Sequence, residues 1–193
     1  MKQKSWGVFL LDINQLNEKG IKMKIYTGKG DHGETKLGNG KKVEKSSQII
    51  HVLGSIDELN SVIGLVISEN VEKDFLSLIQ SHLFQLGADI SLAKSNPAFA
   101  QNIATLENKI DQLQSQLPEL TNFILPGGTK PSSLLHLARS VARRTERDTV
   151  FLNKIVKLNP EILTYLNRLS DLLFVLSRFY NDKGKSDVVW KIN

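Results

Sequence analysis

Two groups of residues have types and spacings suited to holding a polyanion. The first is the stretch from Lys24 to Gly38, which holds Gly28, Gly30, Gly33 and Gly38, the hydroxyls of Thr27 and Thr35, and the amines of Lys29 and Lys36. Glycine has no Cβ, so the backbone can take positive φ and bring its N–H groups close to a ligand. Successive N–H groups in such a turn form a concavity that fits phosphate oxygens, and lysines add charge. The stretch is not a Walker loop, because GxxxxGK followed by Ser or Thr is missing, and it does not match GxGxxG. On its own residues it is either a flexible turn or a phosphate cradle. The second group lies on a predicted helix. At ~100° per residue, Ser132, His136, Arg139, Arg143, Glu146 and Arg147 fall within about a third of the circumference. Arg139, Arg143 and Arg147 stack at i, i+4 and i+8 and repel one another by roughly a few tenths of a kcal/mol per pair. This stripe is either a solvated face neutralised by Glu146 or the wall of an anion site. Leu134, Ala138, Val141 and Thr145 point away from it, towards a core.

The bulk composition narrows the remaining classes. The chain has 193 residues, 40% hydrophobic and 23% charged, as expected of one globular domain with a real core. It has no cysteine, so disulfides, thiolate metal sites and a cysteine nucleophile are excluded, which fits a reducing cytoplasm. No apolar run approaches the ~20 residues of a membrane helix. The first residues lack a small-residue cleavage site, so no signal peptide is expected. A net charge of +5 with 7% aromatics and no interleaving of basic and aromatic residues argues against nucleic acid. A nucleoside triphosphate would satisfy the same positive excess. His32, His51, His82 and His136 show no metal-ligand spacing, so no metal site built by the protein alone is expected. No Ser–His–Asp arrangement is visible.

The elements that must position these groups are helices. Ile49, Val52, Leu53, Ile56, Leu59, Val62, Ile63 and Val66 recur at helical spacing over 47–69. Gly54 and Gly64 interrupt this helix, which predicts close packing of another backbone. Here Asp57 and Glu58 are the only acids amid apolar residues, and Asp57 is a natural partner for an arginine on a facing helix. A second helix is predicted over 72–92 with Phe75, Leu78, Ile79, Leu83, Leu86 and Ile90 buried, broken by Asn96-Pro97. A third covers 101–117 and stops at Pro118. Phe123-Ile124-Leu125-Pro126-Gly127-Gly128-Thr129-Lys130-Pro131 is a rigid loop with a helix start built in, Thr129 capping and Pro131 in the first turn. The fourth helix runs over 131–153. Asn159-Pro160 opens a fifth, ending near Asn181, with Asn167, Ser170, Asp171, Phe174 and Arg178 on one stripe and Leu169, Leu172, Leu173, Leu176 and Phe179 opposite. Asn39-Gly40 reads as a tight turn, and no strand-like alternation of any length occurs. The expected fold is all-α, a five-helix bundle.

Residues 1–22 stand apart. Met23-Lys24-Ile25-Tyr26 reads as a natural start, and codons for Glu18-Lys19-Gly20-Ile21-Lys22 can spell a purine-rich ribosome-binding sequence just ahead of it. The expected division is an N-terminal extension over 1–22, either a start-site artefact or a poorly packed appendage, and one domain over 23–193.

Five motifs occur together and in order: Tyr-Thr-Gly-Lys-Gly-Asp-His-Gly-Glu-Thr at 26–35, Gly-Ser-Ile-Asp-Glu-Leu-Asn at 54–60, Phe-Ile-Leu-Pro-Gly-Gly-Thr at 123–129, Arg-Arg-Thr-Glu-Arg at 143–147 and Leu-Asn-Arg-Leu-Ser-Asp at 166–171. With them the chain closely resembles the PduO-type ATP:cob(I)alamin (corrinoid) adenosyltransferases over residues 23–193. The resemblance implies a homotrimer of five-helix bundles with a four-helix-bundle-like core, an extended glycine-rich N-terminal arm, and active sites between subunits. It implies ATP contacts at Thr27, Gly28, Lys29, Gly30, Thr35, Lys36, Lys45, Arg143, Arg144, Glu146, Arg147 and Asn167. Asp57 and Arg139 match an ion pair across the subunit interface, and Phe123 matches the aromatic that closes the lower face of the corrin ring.

The implied chemistry is an in-line displacement in which Co(I) of cob(I)alamin attacks ribose C5′ of ATP and triphosphate leaves, giving adenosylcobalamin. The arginines, Arg143 foremost, and Mg²⁺ would stabilise the leaving charge. A cob(II)alamin reductase and an adenosylcobalamin-dependent client enzyme are the implied partners. A non-catalytic module that delivers ATP or corrinoid would keep the phosphate contacts and lose those around the reacting ring. The presence of Phe123, Asp57, Arg139 and Asn167 favours the enzyme.

Overall fold

Five amphipathic stretches become five helices because each buries one stripe against its neighbours. The computed structural model describes Tyr26, residues 28–94 and residues 99–191; the extension over 1–22 and Thr27 lie outside them. The helices are α1 (Gln48–Ser68), α2 (Lys73–Leu92), α3 (Phe99–Gln114), α4 (Lys130–Ile155) and α5 (Pro160–Phe179). α4 is central, packed on α1 at one side and α5 at the other, while α2 packs on α1 and α3 on α5.

The core is continuous through Val52, Leu59 and Ile63 of α1, Leu76, Ile79 and Leu83 of α2, Phe99 and Leu106 of α3, Leu135 and Ala142 of α4, and Tyr165, Leu169 and Leu173 of α5. Burying one such aliphatic side chain contributes about 1.5–3 kcal/mol. Local chemistry sets the helix starts. Thr129 Oγ1 accepts from Ser132 N (3.2 Å) with Pro131 in the first turn, and Asn159 Oδ1 accepts from Glu161 N (3.1 Å) with Pro160 beside it. Polar links fix how α1 lies on α4: Thr145 Oγ1 donates to Ser55 O (3.0 Å), Ser55 Oγ to Asp148 Oδ2 (2.7 Å), and Gln48 Nε2 to Asp148 O (3.1 Å).

Several expectations are corrected. Four short strands are present: β1 (Glu34–Lys36) pairs antiparallel with β2 (Lys42–Glu44), and β3 (Ile124–Leu125) with β4 (Val188–Val189). Strands of two or three residues are too short to show alternation. Asn39-Gly40 is the turn of the first ladder, with Gly40 at φ +87°. On α2 it is Leu76 that is buried, while Phe75 is half-buried and Leu78 exposed. Among the described residues, no other backbone comes within 4 Å of a Cβ built at Gly54 or Gly64, and only the Gln80 side chain approaches Gly64 (3.5 Å), so neither glycine admits a second backbone there. Ser132 and His136 are buried, not on an open polar stripe, as are Ser170 and Arg178 of α5. Contrary to the absence of long apolar runs, α1 is by length and composition apolar enough to cross a membrane, with mean hydropathy 1.4. Its inner stripe is part of the bundle core, and only 39% of its most apolar window is buried within the chain, so its outer face, with Leu65 and Gly54, is open.

Candidate active site

α4 carries the charged array. Arg143 and Arg147 are exposed, and Arg147 Nη1 donates to Arg143 O (3.2 Å). Arg144 forms an ion pair with Glu58 of α1. Glu146 Oε1 accepts from Asn167 Nδ2 of α5 (3.0 Å). Residues from three of the motifs, 54–60, 143–147 and 166–171, are therefore brought together where α4 meets α1 and α5. Arg139 is half-buried, and its Nε is sealed from solvent with no hydrogen-bond partner among the described residues. Burial, then repulsion from Arg143, lowers its pKa from the usual arginine value.

Within the chain it is the neighbouring acid, Glu58, that pairs with an α4 arginine, and Asp57 has no ion pair among the described residues. Burial raises its pKa above the ordinary carboxylate value.

The glycine-rich arm is built from turns. Asp31 N donates to Gly28 O (3.3 Å), Gly33 N to Gly30 O (3.4 Å) and Lys45 N to Gly33 O (2.8 Å). Gly28 (φ +69°) and Gly33 (φ +82°) take the left-handed conformation that the turns need. A Cβ at Gly30 would come within 3.2 Å of Lys45 Nζ, so that amine lies over the loop. Thr35 sits in β1 opposite Val43, and Lys36 opposite Lys42. Lys29 and Lys36 are exposed. The arm leads into α1, whose first turns pack on Asp148. Among the described residues, however, no hydrogen bond or ion pair joins the arm to Arg143 or Arg147 of the same chain.

Beside the array, a cleft of about 650 Å³ opens between α3, α4 and α5. Its lining includes Arg139 and Arg143 of α4, Leu117 and Leu120 beyond α3, and Phe174, Val175 and Arg178 of α5. Arg168 is held on its wall by Glu107 (2.9 Å) and Asp171 (2.9 Å). Phe123 is outside this lining. It stands 78% exposed on the loop that leads from the cleft rim to α4.

The model described as cobalamin adenosyltransferase matches residues 25–180 of the chain. The chain belongs to this family. It is 44% identical over 173 residues to a cobalamin adenosyltransferase of Cupriavidus metallidurans, covering 87% of this chain and 94% of the relative. It is 39% identical over 181 residues to the corrinoid adenosyltransferase of Bacillus subtilis, covering 88% and 93%. A Phe-to-His variant of the PduO-type ATP:corrinoid adenosyltransferase from Lactobacillus reuteri, solved with cobalamin and ATP, superposes with TM-score 0.82 at 34% identity, covering 87% of this chain and 97% of that one.

Two features of this cobalamin adenosyltransferase escape the sequence patterns. Trp190, beyond the matched residues, meets the Phe123 ring edge-on at 6.2 Å, and its backbone N–H donates to Phe123 O (2.8 Å). No local signal links positions so far apart. His136 lies edge-on to Phe174 at 6.2 Å with Nδ1 buried and without a hydrogen-bond partner among the described residues. Burial, then the charge of Arg139, lowers its pKa from the usual histidine value, against an opposing pull from Asp187. Helical spacing placed His136 beside the arginines but could not tell that α5 covers it.

Proposed function

We propose that this cobalamin adenosyltransferase moves the 5′-deoxyadenosyl group of ATP to cob(I)alamin. Co(I) supplies the electron pair of the new Co–C5′ bond, and the C5′–O bond breaks with its pair going to triphosphate. The observation that carries this reading is the α4 array: Arg143 and Arg147 exposed together, with Arg139 left half-buried and unpartnered at Nε, beside the Glu146–Asn167 pair. Mutually repelling guanidiniums gain from an anion whose charge grows as the reaction proceeds.

Arg143, Arg144, Arg147 and Asn167 bind ATP from α4 and α5. The arm supplies Thr27, Gly28, Lys29, Gly30, Thr35, Lys36 and Lys45. Because no hydrogen bond or ion pair joins the described residues 28–45 to Arg143 of the same chain, we assign the site to two subunits of a homotrimer. Asp57 and Arg139 then pair across the interface, and the open apolar face of α1 is covered. Mg²⁺ fits the donors at hand: the Asn167–Glu146 bond leaves the amide oxygen and one carboxylate oxygen free, and this ion takes few protein oxygens alongside phosphate and water. Bound there, it would neutralise triphosphate charge. Phe123 closes the lower corrin face and excludes an axial ligand, which makes Co(II) easier to reduce to the reactive Co(I). Residues 23–193 form the catalytic domain and 1–22 an extension. The work is done in the cytoplasm, with a reductase supplying electrons and a client enzyme taking adenosylcobalamin.

Phosphorus magnetic resonance of the spent reaction tests the bond that breaks. Intact triphosphate in step with adenosylcobalamin is expected. ADP or pyrophosphate as the primary product would contradict attack at C5′.

A further inference from the structure

Sequence-distant segments meet where α5 ends. Arg178 donates from Nε to Asp187 Oδ2 (2.8 Å) and from Nη2 to Pro118 O (3.0 Å). The Arg178 and Asp187 side chains are 8% and 6% exposed. Asn181, also buried, donates from Nδ2 to Asp187 Oδ1 (3.0 Å) and Ser186 O (2.8 Å), and its Oδ1 accepts from Thr129 N (3.0 Å). Gly128 takes φ +94°, and a Cβ there would overlap the Asn181 amide, so only glycine allows this approach. Between Arg178 and Asp187 the chain turns through three left-handed residues, Asp182, Lys183 and Gly184. Non-glycine residues persist in that conformation only where their surroundings over-determine it.

A buried ion pair is a poor source of stability, because desolvation offsets most of the attraction and an apolar pair often does as well. What it supplies here is placement. Arg178 grips the start of the 118–129 segment at Pro118. Asn181 grips its end at Thr129. Asp187 fixes the root of β4, whose neighbour Trp190 reaches back to Phe123. Phe123, mostly exposed, has little packing of its own, so its position is inherited from these three anchors.

We propose that Arg178, Asp187 and Asn181 are positioning residues that hold Phe123 against the corrinoid and thereby govern the reduction of Co(II), leaving adenosyl transfer from preformed Co(I) untouched. This rests on the reading of Phe123 given above. The test compares wild type, Asp187→Asn and Phe123→Ala in two assays with ATP and Mg²⁺. One starts from cob(II)alamin with a dihydroflavin as one-electron donor, and the other from chemically reduced cob(I)alamin. The electron paramagnetic resonance signal of four-coordinate Co(II) is recorded alongside.

Asp187→Asn should lower the Co(II)-started rate by about tenfold to a hundredfold, the usual effect of losing an outer support, and diminish the four-coordinate signal. The Co(I)-started rate and the KM for ATP should stay unchanged. Equal losses in both assays, or none, would overturn the proposal. If Phe123→Ala loses both rates equally, the reading of Phe123 fails and takes the proposal with it. If Phe123→Ala loses only the Co(II)-started rate and Asp187→Asn loses neither, only the positioning role fails. Should Asp187→Asn not fold, the Arg178→Met/Asp187→Leu pair, which removes both buried charges together, carries the same comparison.

Discussion

Arg139 and Asp57 are the residues whose surroundings ask most of a partner. Each is half-buried, each is pushed by that burial towards its uncharged form, and neither has an ion pair among the described residues. A removed partner for a buried charge costs several kcal/mol, so a facing charge from another subunit relieves both at once. Arg143 sits one turn further along α4, exposed and free to meet the triphosphate. Its guanidinium matters most when the leaving group gains charge, so Arg143→Ala should lower kcat more than it raises the KM for ATP. Removing one such donor costs about 10²–10³-fold in kcat, and steady-state titration with ATP would reveal the split. At this scale the sequence was partly legible. The spacing of Arg139, Arg143 and Arg147 placed them on one face, and the Glu146–Asn167 pair joins two residues singled out beforehand. His136 and Ser132 were misread because periodicity gives direction around a helix and says nothing of which neighbour covers it.

Helices were legible where local chemistry decides them. The Thr129 cap with Pro131, and the Asn159 cap with Pro160, are short-range arrangements, and both form as their residue types dictate. The two strand ladders were not, because pairing Ile124 with Val189 is a non-local choice made by two-residue strands. Thr129 does more than cap α4, since its Oγ1 also donates to Tyr180 O (2.8 Å) and so ties the start of α4 to the end of α5. Thr129→Ala should cost about 1 kcal/mol for the cap, within a range of roughly 0.5–2. For a chain of this size each kcal/mol lowers Tm by about 2–4 °C, which differential scanning calorimetry resolves.

Across the whole molecule, burial favours the neutral form of two histidines. His82 shares a 3.1 Å hydrogen bond with the buried Tyr165 hydroxyl, and burial lowers its pKa from 6.5; His136 is lowered in the same direction. A lowered folded pKa means that the unfolded chain binds more protons below pH 6.5, so stability rises with pH through that region. The contribution is complete above the unfolded pKa and is lost as pH falls through the folded values. Tm should therefore drop as pH is taken from neutral towards 5, and a flat profile over that span would show that neither histidine is held neutral.

At the same scale lies the central claim, that a helical bundle with no catalytic nucleophile of its own joins two substrates by placing them. The direct measurement mixes the protein with ATP, Mg²⁺ and chemically reduced cob(I)alamin under anaerobic conditions and follows the visible spectrum. The account predicts conversion to the adenosylcobalamin spectrum at a rate proportional to enzyme. A cob(I)alamin spectrum that persists with ATP saturating would contradict it.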